Sequence, residues 1–475
     1  MTTPTRESHQ PSDMAAGIEI PGFRGECIYS GLPAYDEARA VWNGTVDRRP
    51  RVIARCTDTG DVAAAVCFAR DRDLEIAVRG GGHNVAGTAV CDDGIVIDLS
   101  AMRAVSVDRV GRVAHVQGGA LWGDVDHETQ VHGLATPGGI VSHTGVGGLT
   151  LGGGIGWLMR KHGLAVDNLL EAEVVTAEGA VIRTSADEHP DLFWALRGGG
   201  GNFGVVTSFR FALHPVGPTV LAGPVFWAAA DTADVLRFYR DIVADAPDEL
   251  GTIVRLGTIP PLPVVGEDLH YRPAIAVASC FAGPVGDGER AVRALREFGT
   301  PLVDLVGPTS YVDHQSGMDD TVPHGWHYYW KATDLAGLSD DVIDVVVEYA
   351  YRARSPRSYA AMFHLGGAVA RVAPDATAYP GRDAEHNIII DAAWLPEQHA
   401  TVGAAEAAWA REFFDALQPN RAGVYVNFLD ADDDDRRVRE AYGDRTYRTL
   451  AGVKQKYDPD NVFHHNKNIQ PGRSP

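Results

Sequence analysis

Cysteine is scarce and scattered: Cys27, Cys56, Cys67, Cys91 and Cys280 are odd in number and show no metal-ligand spacing. Neither a disulfide framework nor a thiolate metal site is supported, and free reduced thiols are the expectation. Positive charge is short as well. With 42 Lys and Arg against 63 Asp and Glu the formal net charge is −21, which argues against a nucleic-acid footprint and an anionic-membrane footprint. No run reaches the ~18 uncharged apolar residues of a membrane span, and no apolar segment of a signal peptide follows the polar stretch Met1–Asp13. A soluble cytoplasmic protein is therefore expected, with neither nucleic acid nor membrane as a partner. Internal repeats and low-complexity tracts are also lacking. So is a P-loop, since no glycine run ends in Lys-Ser or Lys-Thr.

Glycine is what the chain has in excess, 53 of 475 residues, and it is clustered. Such clusters mark backbone that comes close to something or takes positive φ. A chain of this length exceeds a single core and predicts two or three units. Residues 1–45 read as a lead-in. From Arg51 short strands and helices alternate. Val62, Ala65, Val66 and Ala69 give one apolar helix face after Thr59-Gly60-Asp61. Ile76–Val78, Ile95–Ile97 and Val113–Val116 read as strands, and Leu121–Val131 as a helix. Thr136–Gly156 reads as a long loop with nine glycines in 21 residues. Glu173–Arg183 is a hairpin around Ala177-Glu178-Gly179, Pro190–Leu196 a helix and Val205–Leu213 a strand. Composition shifts after His214-Pro215, placing a first domain over 46–215. Residues 216–430 carry longer helical patterns between aromatic-rich strands, predicting a sheet covered by helices, an α+β arrangement. Residues 431–475 form a C-terminal segment. The acidic run Asp430–Asp435 reads as a solvated face.

Gly199–Gly204 satisfies G-x-G-x-x-G, but a helix leads into it and a strand leaves. A dinucleotide fold needs the reverse order, so that a helix N-terminus faces the pyrophosphate. The run Arg79-Gly80-Gly81-Gly82-His83-Asn84 follows a strand instead. Its successive N–H groups can converge on an anion, and His83 would stand at the bound group. Taken alone, the run reads at least as well as a tight turn with an exposed histidine.

The motifs together carry more. Arg79–Gly87, Thr144–Gly148 with Gly152–Gly156, Arg197–Gly204, and Tyr457–Asn461 through Asn466–Ile469 stand in an order that resembles the berberine-bridge-enzyme-like flavoproteins of the vanillyl alcohol oxidase and p-cresol methylhydroxylase superfamily. The resemblance is strong over about residues 45–215 and in the tail, and weak between. It implies a two-lobed FAD domain of the p-cresol methylhydroxylase type, a substrate domain, and FAD linked covalently through His83. It implies that Gly80–Gly82 take the pyrophosphate and that Thr144, Gly145, Gly147, Gly148, Gly153 and Gly154 pack along the cofactor. It sets Gly204, Val205 and Val206 near the adenine end, brings Asn466 and Asn468 back to the flavin, and adds Arg79, Asn84, Gly87 and Gln117 to the cofactor set.

The chain departs from that pattern twice. Many relatives add a cysteinyl link where this chain has Val141, so a single link is expected. Many also use a tyrosine base where Tyr425-Val426-Asn427-Phe428 places a phenylalanine. Tyr425, Asn427 and His143 are the remaining catalytic candidates, the histidine because it titrates near working pH. For Tyr425 the competing reading is a packed strand tyrosine with its hydroxyl satisfied. His324 and His327, three residues apart, lack a third metal ligand and read as satisfied histidines, so no metal is expected. Trp326, Tyr328, Tyr329, Trp330 and Phe363 form aromatic walls if they face the cleft. The resemblance implies a natural-product tailoring oxidase that passes hydride from a small organic, polyketide or aromatic substrate to flavin and then uses O2. A dehydrogenase with another acceptor and a non-catalytic flavin carrier are the alternatives.

Overall fold

The computed structural model describes residues 18–472. In the first lobe β1 (Glu26–Ile28), β2 (Val52–Arg55), β3 (Ile76–Arg79) and β4 (Ile95–Asp98) form a sheet in the order β1-β2-β4-β3, with β2 and β3 both parallel to β4. The crossover from β2 to β3 is the helix Thr59–Arg70, capped by the Asp58 carboxylate on the Asp61 N–H. Its stripe Val62, Ala65, Val66 and Ala69 is fully buried against Ile95 and Ile97, each valine contributing about 1.5–3 kcal/mol. The crossover delivers β3 directly into the glycine run that ends at His83.

A second sheet is antiparallel. It contains β5 (Val105–Asp108), β6 (Val113–Gln117), β8 (Leu169–Val175), β9 (Val181–Ser185) and β10 (Val205–Ala212), in the order β5-β6-β10-β8-β9, while the short β7 (Leu134–Ala135) pairs β11 (His214–Pro215). Gly179 turns the β8–β9 hairpin at φ +78, and a Cβ there would lie 2.3 Å from Cys67 Sγ. The helix Pro190–Leu196 leads into the glycines at 198–201 and β10 leaves them, the order that excludes a dinucleotide fingerprint. The expected loop at 136–156 contains a helix, Val146–Gly152. Glycines serve there because the helix packs too closely for side chains, with a Cβ at Gly152 falling 2.0 Å from Asn427 Oδ1.

The second lobe is built on β12 (Thr219–Ala228), β13 (Leu250–Thr258), β14 (Pro273–Phe281), β15 (Val303–Asp304), β16 (Gly307–Ser310), β17 (His327–Leu335), β18 (Tyr359–His364), β19 (His386–Trp394) and β20 (Arg421–Gly423). They form a nine-stranded antiparallel sheet in the order β15-β12-β14-β13-β18-β19-β17-β20, with β16 beside β12. Side chains alternate across it. Val254, Ile275, Val277, Ile388 and Ile390 pack under helices that include Thr232–Val243, Asp340–Tyr349 and Ala404–Ala416. Tyr328, Trp330, Tyr359, Phe363 and Ile389 take the opposite face, against Trp42, Ile155 and Tyr425. The mixed α+β expectation thus matches the architecture.

The tail returns to the first lobe. The helix Asp435–Tyr457, broken at Gly443, sets Val438, Tyr442 and Leu450 among Leu192, Leu196 and Phe203. Lys454 Nζ, fully buried, donates to Asp458 Oδ2 (2.6 Å), Asn202 O (2.7 Å) and Phe463 O (2.9 Å). The acidic run is solvated only in part: Asp432, Asp434 and Asp435 are exposed, while Asp430 is buried. Asp430 accepts from the Trp330 N–H at 2.7 Å, and Lys331 reaches Asp432 (2.6 Å) and Asp433 (3.1 Å). Among the described residues no helix is long and apolar enough to cross a membrane.

Candidate active site

Two glycine segments meet edge to edge. A Cβ on Gly81 would lie 2.4 Å from Gly145 N, and one on Gly145 would lie 2.3 Å from Gly81 N. Only glycine permits that approach, which brings the His83 loop onto the N-terminus of the helix Val146–Gly152. Gly82, at φ +65, makes the turn into His83. Gly80 and Gly147 both lie above the Gly118 carbonyl. A side chain on Gly148 or Gly201 would meet nothing within 4 Å.

His83 is half-buried, and its buried Nε2 has no hydrogen-bond partner. Burial first, then the neighbouring His143 and His324, hold its pKa well below the ordinary imidazole value, so the ring is neutral at pH 7. Trp42 stacks on it at 4.4 Å between centroids and 15° between planes, and Tyr328 stacks on the far face of Trp42 at 3.7 Å. Asn43 ties the same layers together, donating to Val85 O and Tyr328 O and accepting from the Tyr328 N–H. Trp42 and Asn43 fall in the stretch expected to be a lead-in. Their signal was the Trp-Asn-Gly turn at 42–44, whose partners lie some 280 residues away.

The remaining cofactor candidates divide. The Arg79 guanidinium is turned onto the buried Asp98 (2.7 Å) and the carbonyls of Ala38 and Ala40, and so supports the loop from behind. Asn84 caps its own turn, its Oδ1 accepting from the Ala86 N–H, and Gly87 turns at φ +68 against Val46. Gln117 holds the Ala104 N–H. Val206 O sits 2.3 Å from a Cβ built on Gly118, while Gly204 (φ +150) and Val205 pack on Val174 and Val175. Gly153 (φ +143) backs onto Tyr379 and Tyr425, and Gly154 onto Ala165. Asn466 donates to Gly201 O, yet its Oδ1 and that of Asn468 are buried without partners. His143 lies 5.0 Å from His83, ring to ring, with Thr144 following it, and among the described residues its nitrogens are met by no side chain in strict hydrogen-bond geometry, only the Asp319 backbone coming near. Buried polar atoms normally have partners, so this set fits a polar ligand such as FAD along the two glycine segments.

Tyr425 Oη accepts from the Gly154 N–H (2.8 Å) and from Asn427 Nδ2 (2.7 Å), and Asn427 also donates to Leu149 O (3.0 Å). Burial pushes the tyrosine up to about 12. It is a phenol at pH 7 whose acceptor positions are taken and whose proton remains to be donated. Phe428 stands edge-on at 4.8 Å and also contacts Trp330 and Phe363. His327 lies against His399 and Trp394, so the two histidines three residues apart part company, and only His324 joins His143 and His83. Tyr329 faces Asp432 and Arg411 on the other side of the sheet, and Trp326 lies beneath the Arg357 guanidinium.

The sequence reading missed Asp391. It sits in the middle of β19, paired in register with Trp330 on one side and Tyr359 on the other. It shares its face with Ile389 and Ala393, the face turned to Trp42 and Tyr425. It is fully buried; no donor meets strict hydrogen-bond geometry at either oxygen, but the Tyr359 hydroxyl and the Trp330 indole N–H approach the carboxyl closely enough to lower its pKa. Burial raises it to about 7, against the lowering effects of Tyr359, Trp330 and Arg255.

Comparison with known proteins agrees with this architecture. Residues 50–185 match the model of an FAD binding domain, and residues 424–470 the model described as berberine and berberine like. The (R)-6-hydroxynicotine oxidase of Paenarthrobacter nicotinovorans is 34% identical over 96% of this chain and 99% of its own. The crystal structure of 6-hydroxy-D-nicotine oxidase from Arthrobacter nicotinovorans superposes with a TM-score of 0.85, at 31% identity over 98% of this chain and 100% of that one. A glucooligosaccharide oxidase from Acremonium strictum, whose FAD is described as 6-S-cysteinyl and 8α-N1-histidyl, gives a TM-score of 0.83 at 26% identity over 95% of this chain and 98% of its own. The chain belongs to the berberine-like family of FAD-linked oxidoreductases.

Proposed function

We propose that this protein is an FAD oxidase that carries its flavin on a single bond to His83 and dehydrogenates a hydroxyl-bearing small organic molecule, with O2 as electron acceptor. When bound, the flavin supplies the hydride acceptor and the site of reoxidation. Gly80–Gly82, the 144–154 segment, Asn466 and Asn468 would hold it, and Val141 offers no sulfur for a second bond.

The observation that carries the reading is Asp391, a fully buried carboxyl raised to about 7 and two aromatic rings from His83. Trp42 stacks on His83, and Trp330 lies 5.3 Å from Trp42 and opposite Asp391 in the sheet. With Phe428 in place of a proton acceptor, Asp391 takes the hydroxyl proton of the substrate as its C–H bond gives up hydride. A carboxyl titrating near 7 is matched to that work. Trp330, Tyr359, Phe363 and Phe428 form flat apolar walls suited to an aromatic or polyketide-like substrate, with Tyr425 donating its one free hydrogen bond.

Mass spectrometry of the denatured protein should find one added FAD on the peptide containing His83 and none on a cysteine peptide. Recovery of all flavin in the acid-soluble fraction removes the covalent link. Stopped-flow mixing of dithionite-reduced enzyme with air decides the acceptor: reoxidation within seconds supports an oxidase, and flavin that stays bleached for minutes supports a dehydrogenase.

A further inference from the structure

We propose that residues 315–326 of the second lobe form a clamp that completes the flavin-attachment site, with Asp319 and His324 as positioning residues for bond formation at His83; this rests on the reading of His83 as the flavin carrier. The segment grips the first lobe at successive points. Gln315 donates to the Gly139 carbonyl (3.0 Å) and to Asp126 Oδ2 (3.0 Å). Asp319 accepts from the Ser142 N–H (2.9 Å) and the Ser142 hydroxyl (2.5 Å). Trp42 Nε1 donates to Val322 O (2.8 Å), and the Gly325 N–H donates to Trp42 O (2.9 Å). Between these anchors His324 is set 5.0 Å from His143 and 6.3 Å from His83, ring to ring.

These contacts fix the two elements that crowd His83. Trp42 lies on one side of its ring. On the other stands His143, whose loop is pinned through Ser142 by Asp319. Attachment joins an imidazole nitrogen to the flavin methyl carbon at ring position 8. That carbon loses one C–H proton, the imidazole loses its N–H proton, and the electron pair left in the ring passes to dioxygen, giving H2O2. The step needs a neutral imidazole at His83 and a neutral base beside the methyl group. His143 is such a base: its ring lies 5.0 Å from that of His83, and the Asp319 backbone is close enough to orient it. The titratable groups that face it are His83, His324 and Asp319. Desolvation keeps the half-buried His83 and His143 below the usual imidazole pKa, Asp319 pulls His143 upward, and His324 stands at the exposed edge of the group.

The experiment compares full-length wild type, Asp319→Asn, His324→Gln and His83→Ala, each purified free of flavin and then incubated aerobically with FAD. Total bound flavin is read from absorbance, covalent flavin from fluorescence of the denatured band, and folding from the Tm. Asp319→Asn and His324→Gln are expected to bind total FAD within twofold of wild type, at similar Tm, while covalent attachment slows at least tenfold. In wild type the attachment rate should rise with pH and level off below pH 6.5, the ordinary imidazole value, because both His83 and His143 are held below it. Attachment at the wild-type rate in both variants overturns the clamp. A variant whose total FAD and Tm fall with its covalent flavin reports collapse of the lobe contact and counts against a positioning role. Covalent flavin that persists in His83→Ala, or is missing from wild type, overturns the reading of His83 instead.

Discussion

Replacing Asp391 by Asn removes one ionisable group and leaves the shape of the side chain almost unchanged. Burial raises the Asp391 carboxyl from 3.8 to about 7, and each pKa unit is worth about 1.4 kcal/mol between protonation states. The shift of about three units therefore sets an upper bound of about 4 kcal/mol. Between pH 4 and 7 the folded state keeps this proton while the unfolded chain has lost it. The folded protein thus binds more protons, and its stability falls as pH rises through that window, with the full cost present above pH 7. The variant lacks the cost. Its amide adds an offset that does not depend on pH, so the informative quantity is how the Tm difference between variant and wild type changes with pH. About 2–4 kcal/mol corresponds, for a chain of 475 residues, to a rise of about 2–4 °C in that difference between pH 4.5 and 8.5. Asp126 and Asp334, raised by burial to about 7 and about 6, slope the same way in both proteins and cancel. Turnover should fall about 10²–10⁴-fold, the usual worth of a positioned general base. A Tm difference that stays flat with pH, or wild-type turnover in the variant, refutes the reasoning.

Three further perturbations test the scaffold. Gly81→Ala forces a methyl group to within 2.4 Å of the Gly145 nitrogen; a loss of about 1–3 kcal/mol and of most bound flavin is expected from melting and absorbance. Tyr425→Phe leaves the Gly154 N–H and one Asn427 N–H without their acceptor, which should cost about 1–3 kcal/mol in denaturant titration, and retention of full stability would show those donors have other partners. Lys454→Met strands the buried Asp458 carboxylate and should destabilise by about 3–5 kcal/mol, with flavin content falling alongside the Tm.

Sequence patterns revealed His83 because its evidence is local and serial. A strand, three glycines and a histidine are read in one pass, and the second glycine segment that touches them carries its own pattern. Asp391 offered no such handle. It follows three isoleucines in a strand buried on both faces, and only the pairing with Trp330 and Tyr359 reveals that it faces the site. Trp42 was hidden for the same reason, its partner Val322 lying far along the chain. The acidic run at 430–435 is solvated at Asp432, Asp434 and Asp435, as its charge suggests, but the pairing of Asp432 and Asp433 is invisible in one dimension because Lys331 lies on another strand. The helix Val146–Gly152 escaped because glycine density argues against a helix on propensity, and close packing against Asn427 and Gly118 overrides that preference.

The Lys454 knot bears on the order of events during synthesis. The core of the first lobe includes Leu450, Val453 and Ile469, and Lys454 fastens the Asn202 and Phe463 carbonyls in one stroke. Domains generally fold N-terminal first as the chain emerges, but here the earliest lobe must wait for Lys454, 252 residues beyond Asn202. Nascent protein therefore has no finished first-lobe core until translation passes residue 469, and cofactor capture is expected to lag until then. Ribosome-stalled products ending before residue 454 should emerge colourless.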